Sequence, residues 1–306
     1  MAATLQYFVN GIVYSSIIVL GSVGLAVVYS IADFANFAHG DTMTVGAYTT
    51  LVAFGPLAAV QADLIGLPLG FFLALGVGMA VAAAVAVGTE LLVYRPLDVD
   101  SLGLLITSIG VAFVYRAVMR QLFGTQFKSY GVERSGPMPV FQDALGVAVT
   151  ERHLVMVVVA TALVVGLHVL LQYTTLGRKM RAMADNPDLA RVSGIRTGRV
   201  KLATWAIGAG MAGAGGVFLG LFNQLNPRMG FEILLVIFAA VILGGIASVY
   251  GAMLGGVVIG MVTRLTPLLR EFGLPIGNEY SAALAFAIMV VILLVRPQGI
   301  AGGAVT

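Results

Sequence analysis

The sequence predicts an all-α protein, a polytopic bundle of about 8–10 transmembrane helices. Composition is the first reason: 59% of the 306 residues are hydrophobic and only 10% are charged, whereas soluble domains have about 25% charged residues. The second reason is that the apolar residues form long runs, many of them near the length of about 20 residues that crosses the hydrocarbon. The third is the abundance of glycine, 39 residues, which is typical of closely packed membrane helices.

Nine apolar runs are the candidate spans. In chain order they cover residues 8–30, 43–60, 67–91, 104–119, 154–171, 202–222, 233–247, 252–262 (extended to about 269) and 281–295. Several runs are short and adjoin glycine-rich breaks, which favours some broken or re-entrant helices among them. No linker or low-complexity segment separates the runs, so residues 1–306 are predicted to form a single membrane-embedded domain.

The segment 174–201 holds a large share of the positive charge of the chain. It contains seven of the 17 basic residues, which are Arg178, Lys179, Arg181, Arg191, Arg196, Arg199 and Lys201. Positively charged loops remain in the cytoplasm, so this loop is predicted to be cytoplasmic. Counting spans from it places the chain end from residue 296 inside, residues 120–152 outside and, with nine spans, the N-terminus outside.

The same loop contains the signals of a short capped helix. Asn186 is a good N-cap, Pro187 fits the first helical position, and Asp188 lies in the first turn, where a carboxylate favours the helix dipole. Gly194 fits the left-handed position that ends a helix. Because a helix of about two turns is marginal in water, we expect another surface to pack on its apolar residues, the alternative being a helix that lies on the membrane or on neighbouring loops. These apolar residues are Leu189, Ala190 and Val192.

The stretch NFAHGD, residues 36–41, places polar groups between two apolar runs, and two interpretations remain open. In the first, it is a tight connection at the cytoplasmic interface, in which Gly40 ends one element and Asp41 caps the next helix. In the second, it is a broken helix, whose freed backbone survives at membrane depth only when it is buried in protein or lines a wet cavity. Asn36 and His39 would then orient neighbouring backbone or contact a polar solute.

Other polar residues within the apolar runs are few. Glu90 is predicted to pair with Arg95 or to reach the inner interface, while Arg116 and Arg120 extend to the outer interface. An ionisable group within a span is by default a functional candidate. For His168, however, a neutral imidazole that bonds across to another helix is the commoner outcome.

Small residues at four-residue spacing predict close helix packing, because they let another backbone approach one helix face. Two interpretations of these glycine-containing helix faces remain open. They pack against other helices of the same chain or, alternatively, they slide during a conformational change or contact a second subunit. The glycines concerned are Gly216, Gly220, Gly251, Gly255, Gly256 and Gly260.

Several kinds of chemistry have no motif in the sequence. No G-x-x-x-x-G-K-[ST] occurs, so the chain has no phosphate-cradling loop; we expect no cofactor in this chain and no enzyme activity, and any ATP would be bound by a partner subunit. His39 has no ligand cluster at metal-binding spacing, and neither a metal nor a nucleic-acid partner is predicted. The scarcity of membrane carboxylates argues against an ion-coupled secondary transporter, which remains an alternative.

Four motifs, in this order along the chain, resemble those of one family. They are NFAHGD, GRKMRAMADNPDLARVSGI, VILGGIASVYGAMLGG and LLVRPQGI. Together they make the chain similar to the permease (transmembrane) subunit of branched-chain amino acid ABC importers, in the plasma membrane, which in prokaryotes is the inner or cytoplasmic membrane. The resemblance implies four kinds of partner: ATPase subunits, a second homologous permease, an extracytoplasmic solute-binding protein and membrane lipid. A permease for urea or short amides in the same family is the alternative substrate class.

The resemblance also implies roles for particular residues. It implies that the loop at about 174–201 docks on the ATPase, although DLARVSG keeps only part of the Glu-Ala-Ala-x-x-x-Gly pattern of importer permeases. The implied coupling residues are Arg181, Asn186, Pro187, Asp188, Leu189, Ala190 and Gly194. The candidates for the translocation path are Asn36, His39, Gly40 and Asp41.

Overall fold

The computed structural model describes residues 2–64, 66–132, 136–246, 248–271 and 277–301. Within these residues the chain forms helices almost throughout. The α-helices are α1 (Ala2–Ala32), α2 (His39–Leu57), α3 (Leu69–Thr89), α4 (Ser101–Phe123), α5 (Pro139–Leu145), α6 (Glu151–Tyr173), α7 (Thr175–Asp185), α8 (Pro187–Val192), α9 (Thr197–Phe222), α10 (Met229–Gly244), α11 (Val249–Leu265), α12 (Leu268–Glu271) and α13 (Ser281–Val295). A π-helical turn (Glu90–Tyr94) continues α3, and a 3₁₀ turn (Asn278–Tyr280) precedes α13.

Strand structure is minimal in the part of the chain that the structure describes. Two short strands, β1 (Asp63–Leu64) and β2 (Leu67–Pro68), pair antiparallel in the connection between α2 and α3, with Asp63 opposite Pro68. The predicted all-α class is therefore confirmed.

Each of the nine predicted runs is mostly helical. The run 67–91 begins in β2, the runs 43–60 and 233–247 extend past the ends of α2 and α10, and residue 247 lies outside the described residues. In the part of the chain that the structure describes, five helices are long and apolar enough to cross a membrane: α1, α3 with its π-helical turn, α4, α6 and α9. The apolar helices α10, α11 and α13 are shorter, and α2 has 19 residues. This mixture of full-length and short helices is what the sequence predicts for a multi-pass bundle with broken helices.

Helices α1 and α9 form the centre of the bundle. Most of each is buried, whereas α4 and α6 expose much of their length. Helix α1 packs mainly on α9 and α11, and α9 also packs on α2 and α3. These contacts are close because glycines face each other, with Gly24 against Gly208 and Gly46 against Gly213. Such backbone contact is the usual way in which membrane helices associate without large side chains between them.

The six predicted packing glycines all face other parts of this chain. A side chain at Gly216 would overlap Met43 of α2, and one at Gly220 would meet Leu225 and Tyr130. On α11, the four glycines divide between two neighbouring helices. Gly251 and Gly255 face Gly244 and Ala240 of α10, whereas Gly256 and Gly260 face Ser22, Val19 and Ser15 of α1.

The chain breaks between α1 and α2 and folds back toward the middle of the bundle. His39, the first residue of α2, lies with Nε2 2.9 Å from the carbonyl oxygen of Gly21. Residues 22–32 of α1 extend past this contact, which is about 16 Å of helix at a rise of 1.5 Å per residue. The connection 33–38 therefore returns along α1, and α2 begins beside the middle of a helix that is long enough to span the membrane.

Candidate functional site

The NFAHGD segment is a buried break in the membrane-embedded bundle. Asn36 is 3% exposed, His39 2% and Asp41 1%. Helix α2 begins at His39, and its N-cap is Ala38, with no side-chain cap. The interfacial interpretation is therefore wrong in its details, because Gly40 lies inside the first turn of α2 instead of ending an element, and Asp41 does not cap the helix.

Asn36 and His39 hold backbone in place. Asn36 Oδ1 accepts a hydrogen bond from the N–H of Ala38 at 3.0 Å, which fixes the turn into α2. His39 bonds to the carbonyl oxygen of Gly21, which satisfies one ring nitrogen within the bundle. These contacts are what buried polar groups require at membrane depth.

A buried ion pair joins this break to α4. Arg116 donates from Nε to Asp41 Oδ1 at 3.2 Å and from Nη2 to Asp41 Oδ2 at 2.9 Å. The guanidinium also lies over the rings of Phe231 at 4.2 Å and Phe113 at 5.3 Å. Arg116 was expected to reach the outer interface, which is wrong, because it lies seven residues before the end of α4 and is buried.

Two helix N-termini meet at the break. Gly40 of α2 and Gly230 of α10 are so close that a side chain on either would overlap the carbonyl oxygen of the other. The N–H of Gly230 donates to Thr44 Oγ1 at 3.1 Å. Helix α10 therefore starts beside the first turns of α2, and the positive ends of two helix dipoles lie together. Transporters use such half-helix ends to face polar substrates.

The positively charged loop contains the capped helix that the sequence predicts. Asn186 Oδ1 accepts from the N–H of Leu189 at 2.9 Å, and Pro187 occupies the first helical position. Gly194 is left-handed, with φ +83°, and its N–H bonds to the carbonyl oxygen of Arg191. The N–H of Ile195 donates to the carbonyl oxygen of Ala190 at 3.0 Å. These two bonds are those of a Schellman motif.

Helix α8 leaves most of its apolar surface uncovered. Ala190 is packed within the chain and is 3% exposed, but Leu189 is 63% and Val192 86% exposed. The ion pair between Asp188 and Arg191, at 3.3 Å, lies at the surface and contributes little. A rigid helix with two exposed apolar residues is the kind of feature that a protein partner can bind.

Arg181 fastens the loop to the end of α6. Its Nη1 donates to the carbonyl oxygen of Leu171 at 2.9 Å and to Gln172 Oε1 at 2.6 Å. Gln172 Nε2 donates in turn to Tyr250 Oη at 2.8 Å, and His168 Nδ1 lies 2.9 Å from the same oxygen. The expected bond from His168 to another helix is therefore confirmed, and α7, α6 and α11 are connected at one end of the bundle.

A second ion pair, in which the carboxylate is buried and the ammonium group is partly exposed, links the π-helical turn after α3 to α9. Lys201 Nζ lies 2.9 Å from Glu90 Oε1, and the Glu90 side chain is only 1% exposed. The predicted pairing with Arg95 is wrong, because Glu90 faces α9 whereas Arg95 is exposed. Sequence reasoning missed both this pair and the pair of Arg116 with Asp41. In each case the only signal was a charge inside an apolar run, with a partner far along the chain.

A cavity of about 850 Å³ opens at the same end of the bundle as the charged loop. The end of α1, the loop helix α7, the start of α11 and the chain after α13 surround it. Its polar lining residues are Ser30, Gln172, Arg181, Asp185, Ser248, Tyr250 and Gln298. A second cavity, of about 530 Å³, lies at the α9–α10 connection, where Asn223, Asn226 and Glu232 line it. Neither cavity is lined by residues 36–41.

The chain after α13 closes over the end of α10. The N–H groups of Ile300 and Ala301 donate to the carbonyl oxygens of Leu243 and Gly244, at 2.9 and 3.1 Å. Gly299 adopts φ +79°, which permits this turn. The last residue of the LLVRPQGI motif and the residue that follows it therefore satisfy carbonyl groups at a helix end that would otherwise lack partners.

A bundle of apolar helices that contains a buried break and half-helix ends is the architecture of a membrane transport protein. Comparison with known protein families agrees with this class and identifies the family. Residues 7–293 match the family described as branched-chain amino acid transport system / permease component. The chain belongs to this family.

Individual relatives cover nearly the whole chain. The permease protein BraD of the high-affinity branched-chain amino acid transport system of Pseudomonas aeruginosa is 32% identical over 97% of this chain and 95% of its own length. LivH of Escherichia coli, named for the same kind of system, is 32% identical with the same coverage. LivM of E. coli is also similar, at 28% identity, over 92% of this chain and 67% of LivM.

Proposed function

We propose that this chain is the transmembrane permease subunit of an ABC importer that moves branched-chain amino acids into the cell, and that separate ATPase subunits supply the energy. The chain is a transport subunit without catalytic residues of its own. One observation carries this proposal beyond the family assignment: helix α8, capped at both ends, presents Leu189 and Val192 to solvent from a positively charged loop. This surface suits a partner on the cytoplasmic side, where such loops remain.

The partners follow from the same reasoning. Two ATPase subunits drive the cycle, and a second permease subunit of LivM type pairs with this chain, since relatives of both LivH and LivM type are similar to it. An extracytoplasmic solute-binding protein delivers the substrate at the opposite end, near the cavity at the α9–α10 connection. Membrane lipid surrounds the exposed apolar faces of α4 and α6.

The cycle that we propose is alternating access. ATP closes the ATPase pair, which moves α8 as a rigid body because its caps prevent fraying. Arg181 passes this movement to the end of α6, and Tyr250 passes it to α11. The cavity of about 850 Å³ is the cytoplasmic exit, and its volume is within the usual range of about 300–1,000 Å³ for small-molecule sites.

The break at residues 36–41 is the central closure of the path in this proposal. Its polar side chains are buried in the present state, and the N-termini of α2 and α10 meet there. When the subunits rearrange, these ends offer backbone N–H groups to the carboxylate of the amino acid. Asn36, His39, Gly40 and Asp41 remain the candidate path residues.

Uptake by the complete transporter tests this proposal. Cells that lack their own branched-chain uptake are given the full set of subunits, and entry of labelled leucine, isoleucine and valine is measured. We expect saturable uptake that disappears when the ATPase cannot hydrolyse ATP. Uptake of urea or short amides instead would overturn the substrate class, and uptake driven by an ion gradient without the ATPase would overturn the importer mechanism.

A further inference from the structure

We infer that Glu90 and Lys201 form a joint that transmits movement of the charged loop to the connection 33–38 between α1 and α2, by way of Tyr94 and Asn36. Glu90 is therefore a positioning residue for transport. This inference rests on the proposed function, because it requires a partner that moves the loop.

The joint begins directly after α8. Only residues 193–196 separate α8 from α9, and Lys201 lies on the second turn of α9. Its ammonium group reaches Glu90 Oε1 at 2.9 Å, with the Lys201 side chain 28% exposed and the Glu90 side chain 1% exposed. A buried carboxylate needs its charged partner, so a shift of the start of α9 must act on Glu90.

Glu90 belongs to the π-helical turn at the end of α3. The N–H of Arg95 bonds to the carbonyl oxygen of Glu90 at 2.8 Å, the five-residue spacing of a π-helix. Such turns are rare and often occur at functional sites. At the other end of the turn, the ring of Tyr94 stacks on Trp205 with centroids 5.3 Å apart. Because Trp205 is one helical turn after Lys201, α9 holds this segment at two points.

Tyr94 continues the connection to the break. Its hydroxyl donates to Asn36 Oδ1 at 3.4 Å, the same oxygen that accepts the N–H of Ala38. Phe34, two residues before Asn36, packs edge-on against Tyr94 with centroids 5.2 Å apart. The path from the loop to the start of α2 thus runs through the Lys201–Glu90 ion pair, the backbone of the π-helical turn and the Tyr94–Asn36 hydrogen bond, and its side chains are buried except that of Lys201.

The joint also contains buried polar atoms that lack hydrogen-bond partners in the described part of the structure and could gain them in a different arrangement. Glu90 Oε2 and Trp205 Nε1 are buried and have no hydrogen-bond partner among the described residues. One is an acceptor and the other a donor, and buried groups of this kind are usually paired. A relative shift of α9 and the π-helical turn that brings these two atoms together would give the joint a second stable arrangement.

The test uses the complete transporter in lipid nanodiscs, with Glu90→Gln and Lys201→Met as the variants. We measure the ATPase rate with and without loaded binding protein. We expect basal ATPase activity to persist and its stimulation by substrate to fall at least about 5-fold, the lower end of typical coupling between sites. Arg95→Gln is the matched control, since it removes an exposed charge beside the joint, and Lys201→Arg keeps the pair; both should behave as wild type.

A reporter thiol in the connection 33–38, next to the break, distinguishes coupling from mere stability. The chain has no cysteine, so Ala35→Cys provides a single thiol whose labelling rate can be compared without nucleotide and in an ATP-trapped state. The rate should differ between the two states in the wild-type background and be equal in the Glu90→Gln background. If a variant does not assemble, the inference is tested with Ala35→Cys in otherwise wild-type protein. A labelling rate that is the same without nucleotide and in the ATP-trapped state would overturn the inference.

Two other results would distinguish failure of the joint from failure of the proposed function. Full stimulation and a state-dependent reporter in both Glu90→Gln and Lys201→Met would overturn the joint while leaving the importer intact. Absence of any substrate stimulation in the wild-type complex would instead contradict the proposed function itself.

Discussion

At the scale of single residues, the charges inside the bundle are paired instead of reaching the membrane interface. Two ion pairs each connect segments that are far apart along the chain: Asp41 with Arg116, and Glu90 with Lys201. Breaking a buried pair by removing one partner leaves an uncompensated charge, which typically costs about 3–5 kcal/mol, whereas removing both partners costs much less. We therefore expect these pairs to favour one packing of the helices over others.

Removal of the Asp41 charge tests this directly. Asp41→Asn should lower the stability of the purified protein by a few kcal/mol (about 3), because Arg116 then remains buried without its carboxylate. The double variant Asp41→Asn, Arg116→Met should recover much of the loss. Thermal unfolding in detergent measures both, with Arg120→Gln, an exposed arginine one turn later, as the control. Equal losses in the single and double variants would contradict the pairing.

Local sequence patterns correctly predict the roles of residues whose hydrogen-bond partners lie close to them along the chain. The cap at Asn186 and the left-handed Gly194 follow from residue types within one helix, and both are present. Arg116 and Glu90 were assigned wrong environments, because their partners lie 75 and 111 positions away. A single sequence gives no information on such pairs until the packing of the helices is known.

At the scale of elements, α8 combines strong local definition with an uncovered apolar face. Its caps hold its ends, and Ala190 anchors it to the bundle, while Leu189 and Val192 remain exposed. Exposed residues of this kind contribute little to the stability of the isolated chain. These exposed residues can instead contribute to the binding free energy of a partner interface, most of which comes from a few apolar residues.

Substitution of these two residues should separate docking from folding. The double variant Leu189→Ser, Val192→Ser should insert and unfold like wild type but retain little of the ATPase subunit on copurification. Arg191→Gln, on the same helix, is the control and should retain it, since its ion pair is exposed. Undiminished ATPase binding by the double variant would show that α8 is not the docking element.

The left-handed end of α8 can be tested on its own. Gly194→Val forces a β-branched residue into φ +83°, a conformation that costs L-residues about 1–2 kcal/mol. We expect intact insertion but weaker stimulation of ATPase activity by substrate. Gly198→Ala is the matched control, because Gly198 is within α9 with open space around it and alanine favours a helix. Wild-type coupling in Gly194→Val would contradict the importance of a rigid α8.

At the scale of the whole molecule, composition and the length of apolar runs were enough to predict the fold class. All nine runs are mostly helical, because backbone hydrogen bonds must be satisfied internally in lipid and an apolar run of this length can meet that requirement by forming a helix. The return of residues 33–38 to the middle of α1 was left open by the sequence. It depends on contacts of Asn36, His39 and Gly40 with Tyr94, Gly21 and Gly230, all remote along the chain.

The central claim is that α8 faces the cytoplasm and is held there by the ATPase. The most direct test places one cysteine on its exposed face, Val192→Cys, in a chain that has no other cysteine. A membrane-impermeant thiol reagent should label it in inside-out vesicles and not in intact cells, and bound ATPase subunit should block the labelling. Labelling of Val192→Cys from outside intact cells would contradict the account, because no ATPase could reach α8 there.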